Sequence, residues 1–142
     1  MIKRSASATW SGGIKDGKGS ISTQSGVLDK TQYGFNTRFA EGPGTNPEEL
    51  IGAAHAGCFT MALSGQLGEA GMTATELNTT ATVSLDKVEG GFSISAIHLT
   101  LVAKIPGADQ AAFDAAAQRA KENCPVSKLF NATITLDARL EN

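Results

Sequence analysis

The feature that most constrains this chain is a helix start signal followed by a long run of small side chains. Thr45-Asn46-Pro47-Glu48-Glu49 joins two capping residues, an early proline and early acids, a combination that marks a helix N-terminus. Either Thr45 or Asn46 can be the cap; with Thr45, the Glu48 side chain closes a capping box. Leu50, Ile51, Ala54, Cys58, Met61 and Ala62 then recur at helical spacing, and Gly68 to Gly71 ends the run. Small side chains dominate from Gly52 through Gly57. Such a helix permits close backbone approach, so it is expected to be central and buried on more than one face. Cys58 then sits mid-helix in a largely apolar setting.

Strand signals surround this helix. Residues 4–40 read as short strands broken by turns at Gly12-Gly13 and Asp16-Gly17, with one strand near residues 19–25 and another from Tyr33 to Phe39. Ala81, Val83 and Leu85 alternate with polar residues, Gly90-Gly91 turns the chain, and Ser93, Ser95, Ile97, Leu99, Leu101 and Ala103 continue until Pro106-Gly107. An alanine-rich helix over residues 109–122 follows, with Asp109 as its cap. Residues 133–140 alternate as a last half-buried strand. The order β-β-β-α-β-β-α-β is an α+β pattern. With no repeat, charge block or long linker, residues 1–142 are expected to form one domain.

Charge narrows the partners. The 12 Lys and Arg against 14 Asp and Glu, with no basic run beyond Lys3-Arg4, lack the clustered cationic face that nucleic-acid binding needs. No stretch approaches the roughly 20 apolar residues of a membrane span, and the first residues lack a signal-peptide core. A cytoplasmic location is therefore expected, where paired cysteines are rarely structural disulfides. No metal, flavin or nucleotide cofactor is indicated, and Gly12 to Gly17 does not complete a phosphate-binding loop.

The chain has two cysteines. Cys58 lies on the small-residue helix, and Cys124 precedes Pro125, a residue that favours a first helical turn. Cys124 is thus expected at the cap of a short turn through Leu129, where free N–H groups stabilise a thiolate. Three other roles compete: space-filling in the core, a structural disulfide, and zinc binding with His55 and His98. Only His55 and Cys58 are closely spaced, and His98 falls on the solvent phase of its strand. A thiol in an apolar helix reacts poorly, so a nucleophilic Cys58 needs a cation. Arg38, flanked by aromatics, is the best candidate, with an ordinary exposed strand residue as the alternative. Glu48 could be the carboxylate that a buried arginine wants, or merely a capping glutamate. It stands ten residues from Cys58, about 15 Å along one helix. The helix breaks, or Arg38 bridges, or Glu48 comes from a second subunit; the last is favoured.

At these residues the chain resembles the OsmC/Ohr family of osmotically inducible and organic hydroperoxide resistance proteins, closest to the OsmC branch. The similarity rests on residues 34–39, 44–59, 83–88 and 123–127, in the family's order and spacing over nearly the whole chain. It implies an OsmC-like fold, with central helices against antiparallel sheets, in an intertwined homodimer with active sites at the interface. It implies that Cys58 is the peroxidatic and Cys124 the resolving cysteine, paired as a disulfide during turnover. Arg38 and Glu48 match the family's arginine and glutamate; where the Ohr branch draws its arginine from an earlier strand, this chain offers Lys18. Gly57 departs mildly from the alanine often found before the first cysteine. The expected activity is reduction of organic hydroperoxides, with an apolar pocket of Phe39, Phe59 and Met61 and recycling by a dithiol such as a dihydrolipoyl group. The competing reading is a redox sensor or small-molecule-binding stress protein without turnover.

Overall fold

The computed structural model describes residues 1–141. Its contacts divide the chain into two compact units, one from Met1 to Leu50 and one from Ile51 onward. The secondary elements follow the expected α+β order, with two short helices added.

In the first unit, the Gly-rich turns fall where expected, between β1 (Ala6–Ser11) and β2 (Lys18–Thr23), which pair antiparallel. β3 (Thr31–Tyr33) adds antiparallel to β2. Trp10 and Tyr33 pack edge-on with centroids 5.6 Å apart. Both reach over Gly19, where a Cβ would come within 2.6 Å of either ring. The strand expected from Tyr33 to Phe39 stops at Tyr33, and Phe35–Phe39 is a helix, α1. Thr37 makes the difference: its hydroxyl accepts from the Gly34 N–H at 2.8 Å and donates to the Gly34 carbonyl at 2.9 Å. Phe35 and Phe39, four residues apart, then meet with centroids at 5.0 Å, a contact that helical spacing provides.

The connection to the long helix is tight. Thr45 N–H donates to the Gln32 carbonyl at 2.8 Å. Gly44 (φ +120°) approaches so closely that a Cβ would lie 2.3 Å from that same oxygen, so only glycine fits. Helix α2 (Pro47–Glu69) is capped by Asn46, whose Oδ1 accepts from Glu49 N–H at 2.7 Å. The Thr45 hydroxyl binds Glu49 Oε2 instead, at 2.7 Å. Glu48 is thereby released from capping.

In the second unit, β4 (Glu76–Val88) and β5 (Gly91–Lys104) form a long antiparallel hairpin with a bulge at Ser84/Leu85. The bulge shifts the inward phase, so Ile94 rather than Ser93 and Ser95 joins the apolar face. Helix α3 (Gln110–Asn123) begins at Asp109, which accepts from Ala112 N–H at 2.9 Å, and the short helix α4 (Pro125–Leu129) begins at Cys124. These helices form a crossover, so β6 (Thr133–Leu140) pairs with β5 in parallel. The expectation of antiparallel sheets therefore holds for β1–β3 and β4–β5, while the sheet β4-β5-β6 is mixed.

Phe59, Leu63 and Leu67 of α2, Ile97, Leu99 and Leu101 of β5, and Phe113 of α3 are each at most 1% exposed. Each such side chain contributes roughly 1.5–3 kcal/mol through burial. Helix α2 buries one stripe, Gly52, His55, Phe59, Leu63 and Leu67. The expectation of burial on more than one face is not met: Met61 is exposed, and a Cβ at Gly57, Gly65 or Gly68 would meet nothing within 4 Å. Small side chains alone do not bury a helix; a neighbour must cover them.

Candidate active site

The two cysteines come together in the second unit. Cys58 lies at mid-helix in α2, and Cys124 closes α3 and caps α4. Both are free thiols, and Cys124 Sγ donates to Cys58 Sγ at 3.0 Å. Cys124 is fully buried within the apolar core, whereas Cys58 is half-buried. Pro125 occupies the first turn of α4 and has no N–H to offer, so the first free donor is Val126. Its N–H serves Cys58. The helix start was expected to serve Cys124; it supports the other sulfur instead.

Burial pushes the Cys58 thiol up from its ordinary value. The neighbouring Cys124 pushes the same way, because two sulfurs in one site resist a second negative charge, while the Val126 N–H works against both. Within this unit the balance favours the neutral thiol, and a nucleophilic Cys58 requires further positive charge.

That kind of charge is organised in the first unit. Arg38, in the last turn of α1, donates from Nε to Glu48 Oε1 at 2.7 Å. The arginine side chain is 39% exposed and the glutamate 11%. Glu48 Oε2 is buried without a hydrogen-bond partner. Phe39 lies beneath the guanidinium, 5.4 Å from ring centroid to Cζ. Arg38 is thus a helical residue holding a carboxylate, not an exposed strand residue. Lys18 heads β2 on the exposed surface. Helix α2 runs unbroken, which removes the helix-break route from Glu48 to Cys58.

The expected pocket residues separate. Phe59 is fully buried in the core, while Met61 is 79% exposed; two residues apart on a helix, they leave it on opposing sides. Phe59 packs within the core of this unit and offers no surface to a pocket in the single chain. Phe39 is partly exposed beside Phe35.

The two histidines also part company. His98 is exposed and hydrogen-bonds Thr135 across to β6. His55 is fully buried, and its Nε2 meets Ser127 Oγ at 2.7 Å. Burial holds His55 below its ordinary pKa. Among the described residues, no three His, Cys, Asp or Glu side chains are grouped as a metal ion would need. No described helix is long and apolar enough to cross a membrane. The sequence points to the free N–H groups of this turn but not to the Ser127 side chain; the usable signal for Ser127 was its position within one turn of Cys124.

Known proteins share both the sequence and the fold. The family model described as OsmC-like protein matches residues 40–139. The chain is 57% identical over 141 residues to Peroxiredoxin OsmC of Escherichia coli K12, covering 99% of each protein. It is 32% identical over 124 residues to the organic hydroperoxide resistance protein OhrB of Bacillus subtilis, covering 87% of this chain and 88% of that protein. The crystal structure of OhrB superposes with a TM-score of 0.68 at 30% identity, over 96% of this chain and 98% of OhrB. An OsmC-like protein from Vibrio cholerae superposes at 0.77 and 17% identity, over 97% and 99%, a likeness of fold alone. Matched along most of its length and similar from end to end to a named member, the chain belongs to the OsmC family of OsmC-like proteins.

Proposed function

We propose that this chain reduces organic hydroperoxides to alcohols through Cys58 sulfenic acid and a Cys58–Cys124 disulfide. At the coarser level it is a thiol-dependent peroxidase, a peroxide-detoxifying protein of stress defence, as its kinship with Peroxiredoxin OsmC implies. The observation that carries the finer reading is the sulfur pair: two free thiols 3.0 Å apart with the Val126 N–H serving Cys58.

In the proposed cycle, the Cys58 thiolate attacks the terminal peroxide oxygen. The O–O bond breaks, and the alkoxide leaves as the alcohol after taking a proton, with Cys58 oxidised to sulfenic acid. The Cys124 sulfur then displaces the hydroxyl, which leaves as water with the Cys124 proton. An external dithiol, a dihydrolipoyl group in our reading, reopens the disulfide by exchange and is itself oxidised. The positive charge comes from Arg38, oriented by Glu48. We place it across a homodimer, with the Arg38–Glu48 pair of one copy meeting Cys58 of a second. A guanidinium there would hold the thiolate and the peroxide oxygen together. The open glycine side of α2 is where a second copy can approach. Met61 and Phe39 then offer apolar surface for the organic group. The whole chain acts as one functional domain in this scheme, in the cytoplasm.

The test is anaerobic turnover of cumene hydroperoxide with a dihydrolipoyl donor, comparing wild type, Cys58→Ser and Cys124→Ser. The expected pattern is wild-type turnover, none from Cys58→Ser, and a single sulfenic-acid event in Cys124→Ser. Activity that survives Cys58→Ser would sink the assignment. Stable disulfide without turnover would move the protein to peroxide sensing, the reading that the raised proton affinity of Cys58 favours in a single copy. A monomer by light scattering at micromolar concentration would remove the dimeric site.

A further inference from the structure

A buried histidine that the peroxidase cycle does not use lies one helical turn before Cys58. His55 is 0% exposed, and its Nε2 reaches Ser127 Oγ at 2.7 Å, across 72 residues of sequence. Ser127 stands one turn past Cys124 and next to Val126. The His55–Ser127 bond therefore runs beside the Cys58–Cys124 contact and joins the same two elements, α2 and α4. His55 Nδ1 is buried and unpartnered. The Nε2–H tautomer suits this setting, since it donates to Ser127 and leaves a bare lone pair at Nδ1 rather than a stranded N–H.

Helix α4 has little packing to hold its position, with only Val126 of its own residues set partly against the core. It has five residues and buries none of them fully, far below the length at which a helix is stable alone. Its N-terminus is fixed by Cys124 within the core, and its far end rests near His55, whose ring lies 5.6 Å from that of Phe130. Between these, the His55–Ser127 bond is the directional contact that sets where Val126 N–H and Cys124 Sγ point.

We propose that His55 is a positioning residue for disulfide closure: through Ser127 it latches α4 so that Cys124 stays in attack register with Cys58. The mechanistic context rests on the peroxidase reading above, but the latch acts on the sulfur pair whatever oxidises it. In the step concerned, Cys124 supplies the electron pair for the S–S bond, the Cys58 S–O bond breaks, and the hydroxyl leaves as water with the Cys124 proton. A reacting group displaced by even an ångström can lose orders of magnitude in rate; loosening α4 thus slows closure most, because closure needs Cys124 Sγ itself in place, while attack of Cys58 on peroxide loses only the support of the Val126 N–H.

Two arms test this with the full chain. The first equilibrates the Cys58–Cys124 pair with reduced and oxidised glutathione, which needs no peroxide. Ser127→Ala is expected to lower the ring-closing constant about tenfold, and Ser127→Thr, which keeps the hydroxyl, to restore it. His55→Gln keeps a donor near the Nε2 position and is expected to lie between them. The second arm adds one equivalent of cumene hydroperoxide and follows sulfenic acid and disulfide separately. Ser127→Ala should close the disulfide about tenfold more slowly and slow sulfenic-acid formation by a smaller factor, through the Val126 N–H alone. Ser127 is only half-buried, so its alanine variant tests the latch without emptying the core. An unchanged closing constant in Ser127→Ala, or a loss that threonine fails to restore, would overturn the proposal. If wild type forms no sulfenic acid, the peroxidase reading falls, and the glutathione arm still decides the latch.

Discussion

The cysteine pair and the arginine–glutamate pair are built on opposite principles. Cys58 and Cys124 lie against an apolar core, joined by one neutral hydrogen bond between their sulfurs, and burial suppresses the ionisation of Cys58. Arg38 and Glu48 form a charged contact at 2.7 Å, with the arginine 39% exposed. One region holds a thiol, Cys58, that resists becoming anionic. The other holds a cation already matched to a carboxylate that has one oxygen to spare. The first is positioned without a cation, the second charged without a thiol. Keeping them on different elements lets each be ordered for its own reason, and in the proposed cycle the two must be brought together.

The largest expected contrast concerns stability. Phe59→Ala should cost about 3–5 kcal/mol in denaturant unfolding, because that ring is wholly in the core. Met61→Ala should stay within about 0.5 kcal/mol in the isolated chain. A small stability loss in Phe59→Ala with a raised KM for the organic peroxide would return Phe59 to the substrate pocket beside Met61. Next in size, Arg38→Ala should lower kcat/KM about a hundredfold, the scale of removing a preorganised electrostatic donor, and leave the glutathione equilibrium of the sulfur pair unchanged. Equal damage to both measurements would merge the two regions into one.

A smaller effect separates them by pH. His55 is held neutral by burial, so its folded pKa lies below the unfolded value of about 6.5. Below that value the unfolded chain binds the extra proton, and stability falls as pH falls, by up to about 1.4 kcal/mol per unit. Unfolding midpoints between pH 7.5 and 5.5 should show this slope, and His55→Gln should flatten it. The smallest expected change is at Gly57. With nothing within 4 Å of its would-be Cβ, Gly57→Ala should gain up to about 1 kcal/mol of helix stability. A loss instead would report that a second copy packs tightly against this side of α2.

How much of this could be read in advance differs between the same two regions. The long helix was legible to within a residue, because cap, proline, acids and terminal glycines all agree. The choice of Asn46 over Thr45 was not, since both can cap and only the tertiary partner of Thr45 decides. Helix α1 was read as strand because Tyr, Phe and Thr favour sheets; the deciding Gly34–Thr37 hydrogen bonds depend on geometry, not composition. Alternation revealed β6 but not its parallel direction, which a strand's own pattern does not encode. Cys58, Cys124, Arg38 and Glu48 stand out in the sequence as residue types suited to the proposed chemistry, and the structure brings them together only as two pairs. The pairing of His55 with Ser127 was not, because a long-range hydrogen bond leaves no local periodicity.

The crossover that carries Cys124 back to β5 also sets an order of manufacture. Cys58 precedes Cys124 by 66 residues, so at ordinary synthesis speeds it exists for roughly 3–13 s before its partner is made. During that interval the nascent helix carries a sulfur with no neighbour to capture its sulfenic acid, and further oxidation is irreversible. The same burial that makes Cys58 a reluctant acid in the finished unit cannot yet protect it. Any Cys58 oxidised in that interval therefore lacks the partner whose disulfide leads back to the thiol state.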